Sequence, residues 1–219
     1  MSETDRSRRR VLAGLGLAGL AAGVGCDPRE PAASREVRSW DYTADVVIAG
    51  SGAAATSAAI EARAAGAEVL VLERLPKLGG SSAMSGGVCY LGGGTPLQKA
   101  LGFEDSVEAM HDFIVAAGSL HPRLDKIALY CEGSLEHFDW MIAHGVRYGT
   151  KFSVEKELPY DDASLYYSGC ELAHPWRDIA RPAPRGHVPA VMGHTGGRAM
   201  MEALLGAAQG AGATMLTGV

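Results

Sequence analysis

The sequence predicts an α/β fold built on a Rossmann-like βαβ unit with a parallel sheet, and three observations predict it. An apolar strand, Asp45-Val46-Val47-Ile48-Ala49, runs into the turn Gly50-Ser51-Gly52. A small-residue stretch from Ala53 onward opens a helix, and a second apolar strand, Glu68-Val69-Leu70-Val71-Leu72, ends in the acid Glu73. Strand, glycine turn, helix, strand and acid in this order, with the acid about 20 residues past the turn, form the pattern of a dinucleotide site.

Each element has a physical reason. Gly50 permits the tight turn, and Gly52, with no Cβ, lets backbone approach a pyrophosphate at the positive end of the following helix. Glu73 stands where a carboxylate accepts hydrogen bonds from a ribose and repels a 2′-phosphate. The third fingerprint position is Ala55, which puts one methyl into the helix–strand contact. A P-loop is excluded, because no Gly-Lys-Ser/Thr follows the turn.

After the second strand comes Leu78-Gly79-Gly80-Ser81-Ser82-Ala83-Met84-Ser85-Gly86-Gly87, two glycine pairs bracketing three serines. Such a loop lays N–H groups and hydroxyls against phosphate and ribitol oxygens. A plain nicotinamide domain rarely needs a second cradle here, so the reading moves from a dinucleotide to a flavin dinucleotide. An NAD-dependent dehydrogenase stays as the alternative, with a loop that makes no ligand contact.

Farther along, residues 104–118 and 124–145 read as two helices. The first carries Val107, Met110, Phe113 and Ile114 at helical spacing; the second carries Leu129, Leu135, Phe138, Met141 and Ile142. These positions are read as core. Residues 150–194 read as irregular, since Pro159, Pro175, Pro182, Pro184 and Pro189 forbid long elements. Their Tyr160, Tyr166, Tyr167, Trp176, Arg177, Arg181, Arg185 and His187 either meet an anionic or carbonyl substrate or belong to a solvated connector. A helix from Arg198 to Gln209 and a strand from Ala213 to Thr217 follow. The histidines share no ligand spacing, and Cys89, Cys131 and Cys170 form no C-x-x-C, so neither a metal site nor a disulfide framework is expected.

A chain of 219 residues buries a substantial core, and a net charge of −5 gives no reason to expect nucleic acid. The one dense basic cluster, Arg6-Ser7-Arg8-Arg9-Arg10, precedes an uncharged stretch from Val11 to Gly25. A basic region before a short, glycine-rich apolar run reads as an export signal over residues 1–26, of twin-arginine type with Arg8-Arg9 as the pair. Cys26 at its end offers a lipidation site, although the leucine usual three residues earlier is missing. Residues 27–42 read as a linker, which leaves 43–219 as the cofactor-binding domain, exported to the periplasm or cell envelope. Membrane contact is expected only through the signal or lipidation at Cys26.

Three stretches, GSGAAATSAAI, VLVLERLPKLGGSSAMSGG and TGGRAMMEALLGAA, resemble the fumarate reductase/succinate dehydrogenase-type flavoprotein family, which includes 3-ketosteroid dehydrogenases. The resemblance runs from Asp45 to Val219. It implies a Rossmann-like FAD-binding domain of the glutathione-reductase type, here incomplete and lacking the cap domain. Carried over by position, it implicates Gly50, Gly52, Ala53, Ala54, Glu73, Arg74, Gly80, Ser81, Ser82, Ser85, Gly86 and Gly87 in FAD binding. Respiratory members attach FAD through a histidine in the loop matching residues 78–87; none stands there, so FAD is expected to be non-covalent. The serine spacing is closer to the ketosteroid dehydrogenases. The implied reaction moves a hydride between flavin and a carbon beside a carbonyl or carboxylate, on a steroid or an unsaturated carboxylate. A quinone or cytochrome is the implied electron partner. The family's catalytic Tyr or Arg is expected beyond Val219, so no catalytic residue is assigned, and a non-catalytic FAD-binding module is the remaining alternative.

Overall fold

A computed structural model describes residues 39–118 and 121–219. The expected signal segment, with Arg8, Arg9 and Cys26, and the linker up to residue 38 lie outside the described residues. Thr43–Val219 is a compact unit. In chain order it comprises β1 (Val46–Ala49), α1 (Ala53–Ala64), β2 (Val69–Glu73), a 3-10 turn (Gly80–Met84), β3 (Cys89–Tyr90), α2 (Pro96–Ala100), α3 (Val107–Ala117), α4 (Leu124–Glu132), α5 (Ser134–Ala143), β4 (Phe152–Ser153), β5 (Leu165–Tyr166), α6 (Trp176–Ile179), β6 (Gly186–His187), α7 (Gly196–Gly210) and β7 (Thr214–Thr217).

The first sheet has the order β1-β2-β7, all parallel. Central β2 buries Val69, Leu70 and Val71 in succession, as a strand covered on both faces must, whereas Val47 on edge strand β1 is exposed. Helices α1 and α7 pack beside this sheet around Ala59, Ile60, Met201, Leu204 and Ala208. Arg63, in the last turn of α1, ties their C-terminal ends together. Its Nε donates to the Ala211 carbonyl (2.8 Å) and its Nη1 to the Ala67 carbonyl (2.7 Å), satisfying acceptors that helix ends leave open.

The second sheet, order β3-β6-β5-β4, is assembled from two-residue strands. Three of them lie in the stretch read from sequence as irregular. The prolines do limit element length there, but pairs this short carry no periodicity that a sequence reading can detect. The expected helix over 124–145 is two helices, broken at Gly133. Glycine is a poor helix former, and the next residue is pinned: the buried Ser134 hydroxyl accepts the Gly92 N–H (2.9 Å). The break also turns Leu129 outward, 73% exposed, although the periodicity placed it in the core. Helix α2 was not expected, yet its signal is local: Thr95 and Gln98 form a capping box around Pro96.

A buried polar network underlies this second sheet. The Arg185 guanidinium grips Asp105 through Nε (2.9 Å) and Nη2 (2.7 Å), and both side chains are fully buried. Gln98 bridges Asp105 (3.1 Å) to the Pro184 carbonyl (2.8 Å). The His187 Nδ1 lies 3.0 Å from the Arg185 carbonyl and its Nε2 lies 2.9 Å from the Thr95 hydroxyl. Burial holds the His187 pKa down, to about 4, so the ring is neutral at pH 7. A carbonyl only accepts, so Nδ1 carries the proton and Nε2 accepts from Thr95.

Candidate functional site

The site is assembled at the N-terminus of α1, where the turn, the end of β2 and the glycine–serine loop meet. Gly50 has φ +89°, a conformation that side-chain-bearing residues rarely adopt. It lets the chain reverse from β1 into α1, while the Thr56 hydroxyl, one turn into the helix, donates back to the Ser51 carbonyl (3.2 Å). The helix begins at Ala53 with Gly52 as its N-cap residue, so no N-cap side chain takes its first N–H groups, and of these the Ala53 N–H is met by Ser82.

Ser51 joins the three segments. Its hydroxyl donates to Glu73 Oε2 (2.6 Å) and accepts the Gly79 N–H (2.9 Å). Glu73 also accepts the Leu75 N–H at Oε1 (2.8 Å). That N–H and then the Ser51 hydroxyl hold the Glu73 carboxyl below its usual pKa, so it is ionised at neutral pH. Two donors leave acceptor capacity on a carboxylate, which offers about four lone-pair sites.

Gly80 and Ser82 come up against the turn. A methyl at Gly80 would lie 3.4 Å from Gly52 Cα, and the Ser82 hydroxyl accepts the Ala53 N–H (3.1 Å). Because that oxygen accepts from the helix, its own proton points elsewhere and is free to donate. Ala54 and Arg74 are exposed at the two margins of this arrangement. Ser81 is exposed too, and lines a groove of about 720 Å3 shared with Leu78, Arg198 and Met201.

The loop then runs through Ser85, Gly86 and Gly87 onto the start of α7. The Ser85 carbonyl accepts the Gly197 N–H (3.2 Å), and the Ser85 hydroxyl donates to the Ser82 carbonyl (2.8 Å). A methyl at Gly87, where φ is +73°, would lie 2.3 Å from the Gly196 carbonyl carbon. The two glycine pairs therefore pack backbone on backbone. The sequence reading missed Ser51, Gly196 and Gly197 as site-forming residues. The signal for the glycines was present in T-G-G-R, but nothing local says that it mates with a loop a hundred residues earlier. Of the arginines expected either to meet substrate or to sit in a connector, Arg185 is buried on Asp105, and Arg181 pairs with Glu104 at the surface (2.5 Å).

The family model described as FAD binding domain matches residues 45–218. The chain belongs to the FAD-binding domain family. This decides between the flavin and nicotinamide readings: the cofactor is FAD. Among related proteins, the FAD-binding chain is 34% identical over 161 residues to a 3-oxo-5-alpha-steroid 4-dehydrogenase of Comamonas testosteroni, covering 72% of this chain and 30% of that protein. It is 40% identical over 122 residues to the acrylate reductase flavoprotein subunit of Shewanella woodyi, covering 54% of this chain and 23% of the relative. Among solved structures it is similar to the 3-ketosteroid-delta4-(5alpha)-dehydrogenase of Rhodococcus jostii RHA1, captured with 4-androstene-3,17-dione. That match has a TM-score of 0.77 and 47% identity over 84% of this chain and 39% of the other. The chain thus spans well under half the length of each of these relatives.

Proposed function

We propose that this chain is the cofactor-binding part of a flavoenzyme that moves a hydride between FAD and a carbon beside a carbonyl or carboxylate. The observation that carries the reading is the glycine-led N-terminus of α1, with the Ser82 hydroxyl seated on its Ala53 N–H, set beside the ionised Glu73. The fit is physical. A methyl at Gly52 would lie 3.3 Å from Ser82 Oγ, so the cradle depends on bare backbone.

In this reading the N–H groups of Gly52 and Ala54 and the proton of the Ser82 hydroxyl, itself fixed by the Ala53 N–H, hold the pyrophosphate, with Gly50 and Gly80 allowing the close approach. Glu73 holds the adenosine ribose, with Arg74 beside it. Ser81, Ser85, Gly86 and Gly87 follow the ribitol and ring. No histidine stands in residues 78–87, so attachment is non-covalent. When bound, FAD supplies the two-electron chemistry, and the chain positions it. The names of the relatives, a steroid dehydrogenase and an acrylate reductase, support a substrate with an activated carbon–carbon bond. The basic and apolar N-terminus supports twin-arginine export to the periplasm or envelope, with Cys26 a lipidation site.

The test is anaerobic. FAD-loaded protein reduced with dithionite and freed of excess reductant is mixed with acrylate, fumarate or a 3-ketosteroid enone. Reoxidation of the protein by at least one of them is expected. No reoxidation of the full-length protein by any activated alkene, with FAD still bound, contradicts the oxidoreductase reading.

A further inference from the structure

Resting on the flavoenzyme reading, a second assignment follows from where the loop leads. In the proposed function the ribose lies at Glu73 and the pyrophosphate at the start of α1, so the flavin half would follow the glycine–serine loop past Ser82, Ser85 and Gly86. At Gly86 the loop meets Leu158: a methyl there would lie 2.6 Å from Leu158 Cδ2. Leu158 in turn lines a cavity of about 410 Å3, together with Ser153, Glu155, Glu157, Tyr160 and His194.

The cavity wall is built, yet bare. The Tyr160 carbonyl accepts the Gly193 N–H (2.5 Å), fastening the 152–161 loop to the segment that precedes α7. The Tyr160 ring stands edge-on to the His194 ring, with centroids 5.6 Å apart and planes at 82°. Despite this anchoring, Tyr160 remains 70% exposed, and Val154 in the same loop and Met192 in the segment before α7 are similarly open to solvent. A fixed aromatic face left open beside a cofactor loop is a surface suited to an apolar ring.

Charge narrows the choice. The lining contains acids but no lysine or arginine. Asp161 is neutralised by Lys151, whereas Glu155 and Glu157 have no ion-pair partner among the described residues. Unpaired carboxylates repel an approaching carboxylate and leave a neutral molecule unaffected. We infer that Tyr160 and His194 form the substrate-positioning wall supplied by this chain, and that Glu155 and Glu157 make it select neutral cyclic carbonyl compounds over carboxylates. The tyrosine hydroxyl and the imidazole supply the hydrogen-bonding groups for the carbonyl oxygen.

The experiment uses two probes of matched shape and different charge, cyclohex-2-enone and cyclohex-1-enecarboxylate, titrated into the FAD-loaded protein while the flavin absorbance is followed. The enone should perturb the flavin spectrum and the carboxylate should not. Tyr160→Ala and His194→Ala should each weaken enone binding by about tenfold with flavin content unchanged, and Tyr160→Phe should retain the ring-packing share. The double change Glu155→Lys with Glu157→Lys should admit the carboxylate, an exchange of preference that a loosened fold would not produce. Carboxylate binding as tight as enone binding, or an unchanged enone affinity in Tyr160→Ala, overturns the assignment while leaving FAD binding intact. Failure of the wild-type protein to take up FAD overturns the flavoenzyme reading, and this inference with it.

Discussion

Around the glycine turn backbone meets backbone; beneath the second sheet buried side chains meet one another. In the first region the start of α1, the Ser85 carbonyl and the Gly87–Gly196 contact bring backbone against backbone, and side chains serve mainly as hydroxyl clips such as Ser51 and Ser82. In the second, Arg185, Asp105, Gln98, Thr95 and His187 satisfy one another across segments far apart in sequence. The contrast separates ligand from scaffold. In the proposed function the backbone region is the one that receives the pyrophosphate. A side-chain network closed on itself holds its loops in place and offers nothing to a ligand.

The largest effect should come from opening that closed network. Arg185→Met strands a buried Asp105 and should cost about 3–5 kcal/mol of stability, measured by urea unfolding. Adding Asp105→Leu should restore much of the loss, since an apolar pair needs no partner. If the contrast holds, FAD affinity of the double variant stays near wild type. A large loss of affinity in a stable double variant would mean that the two regions are coupled.

Next comes the pH dependence of the same network. His187 titrates at about 4 in the folded chain and at about 6.5 in an ordinary setting. Between these values the unfolded chain binds a proton that the folded chain refuses. Stability should therefore fall as pH drops from about 6.5 toward 4, by about 3 kcal/mol over the whole window, and this contribution should be flat above it. His187→Gln should remove this component of the slope. A slope unchanged in that variant would assign the titration to another group.

A smaller effect belongs to the turn. Ser51→Ala removes the hydroxyl shared by Glu73 and the Gly79 N–H and should cost about 1–3 kcal/mol, with a measurable loss of FAD affinity. Unlike Arg185→Met, it should act on the cofactor site more than on the second sheet. Equal loss of protection across both sheets, read by hydrogen exchange, would argue against that division.

The same contrast explains what could be read from sequence. The turn at Gly50, the glycine start of α1 and the acid that closes β2 were legible because each element demands one residue type at a fixed local spacing, and the structure brings the three together. The family resemblance rested on such stretches, and the family match bears it out. The partner of the glycine–serine loop was less legible. Gly196 and Gly197 are chosen by a contact across the fold, and no local property of T-G-G-R names its mate. Arg185 is the clearest case. Between prolines, in a stretch with no period, an arginine reads equally as a substrate ligand or a solvated side chain, and only the approach of Asp105 from the start of α3 makes it a buried scaffold residue. The break at Gly133 belongs to the same class, since Ser134 turns inward to meet Gly92.

The most direct test of the central claim is the visible spectrum of the purified protein after incubation with FAD and removal of the excess. Oxidised-flavin bands that stay with the protein through desalting, and pass into the supernatant when acid or heat precipitates it, are the expected result. A protein that remains colourless while folded, or a flavin that stays in the pellet, would contradict non-covalent FAD binding by this cradle.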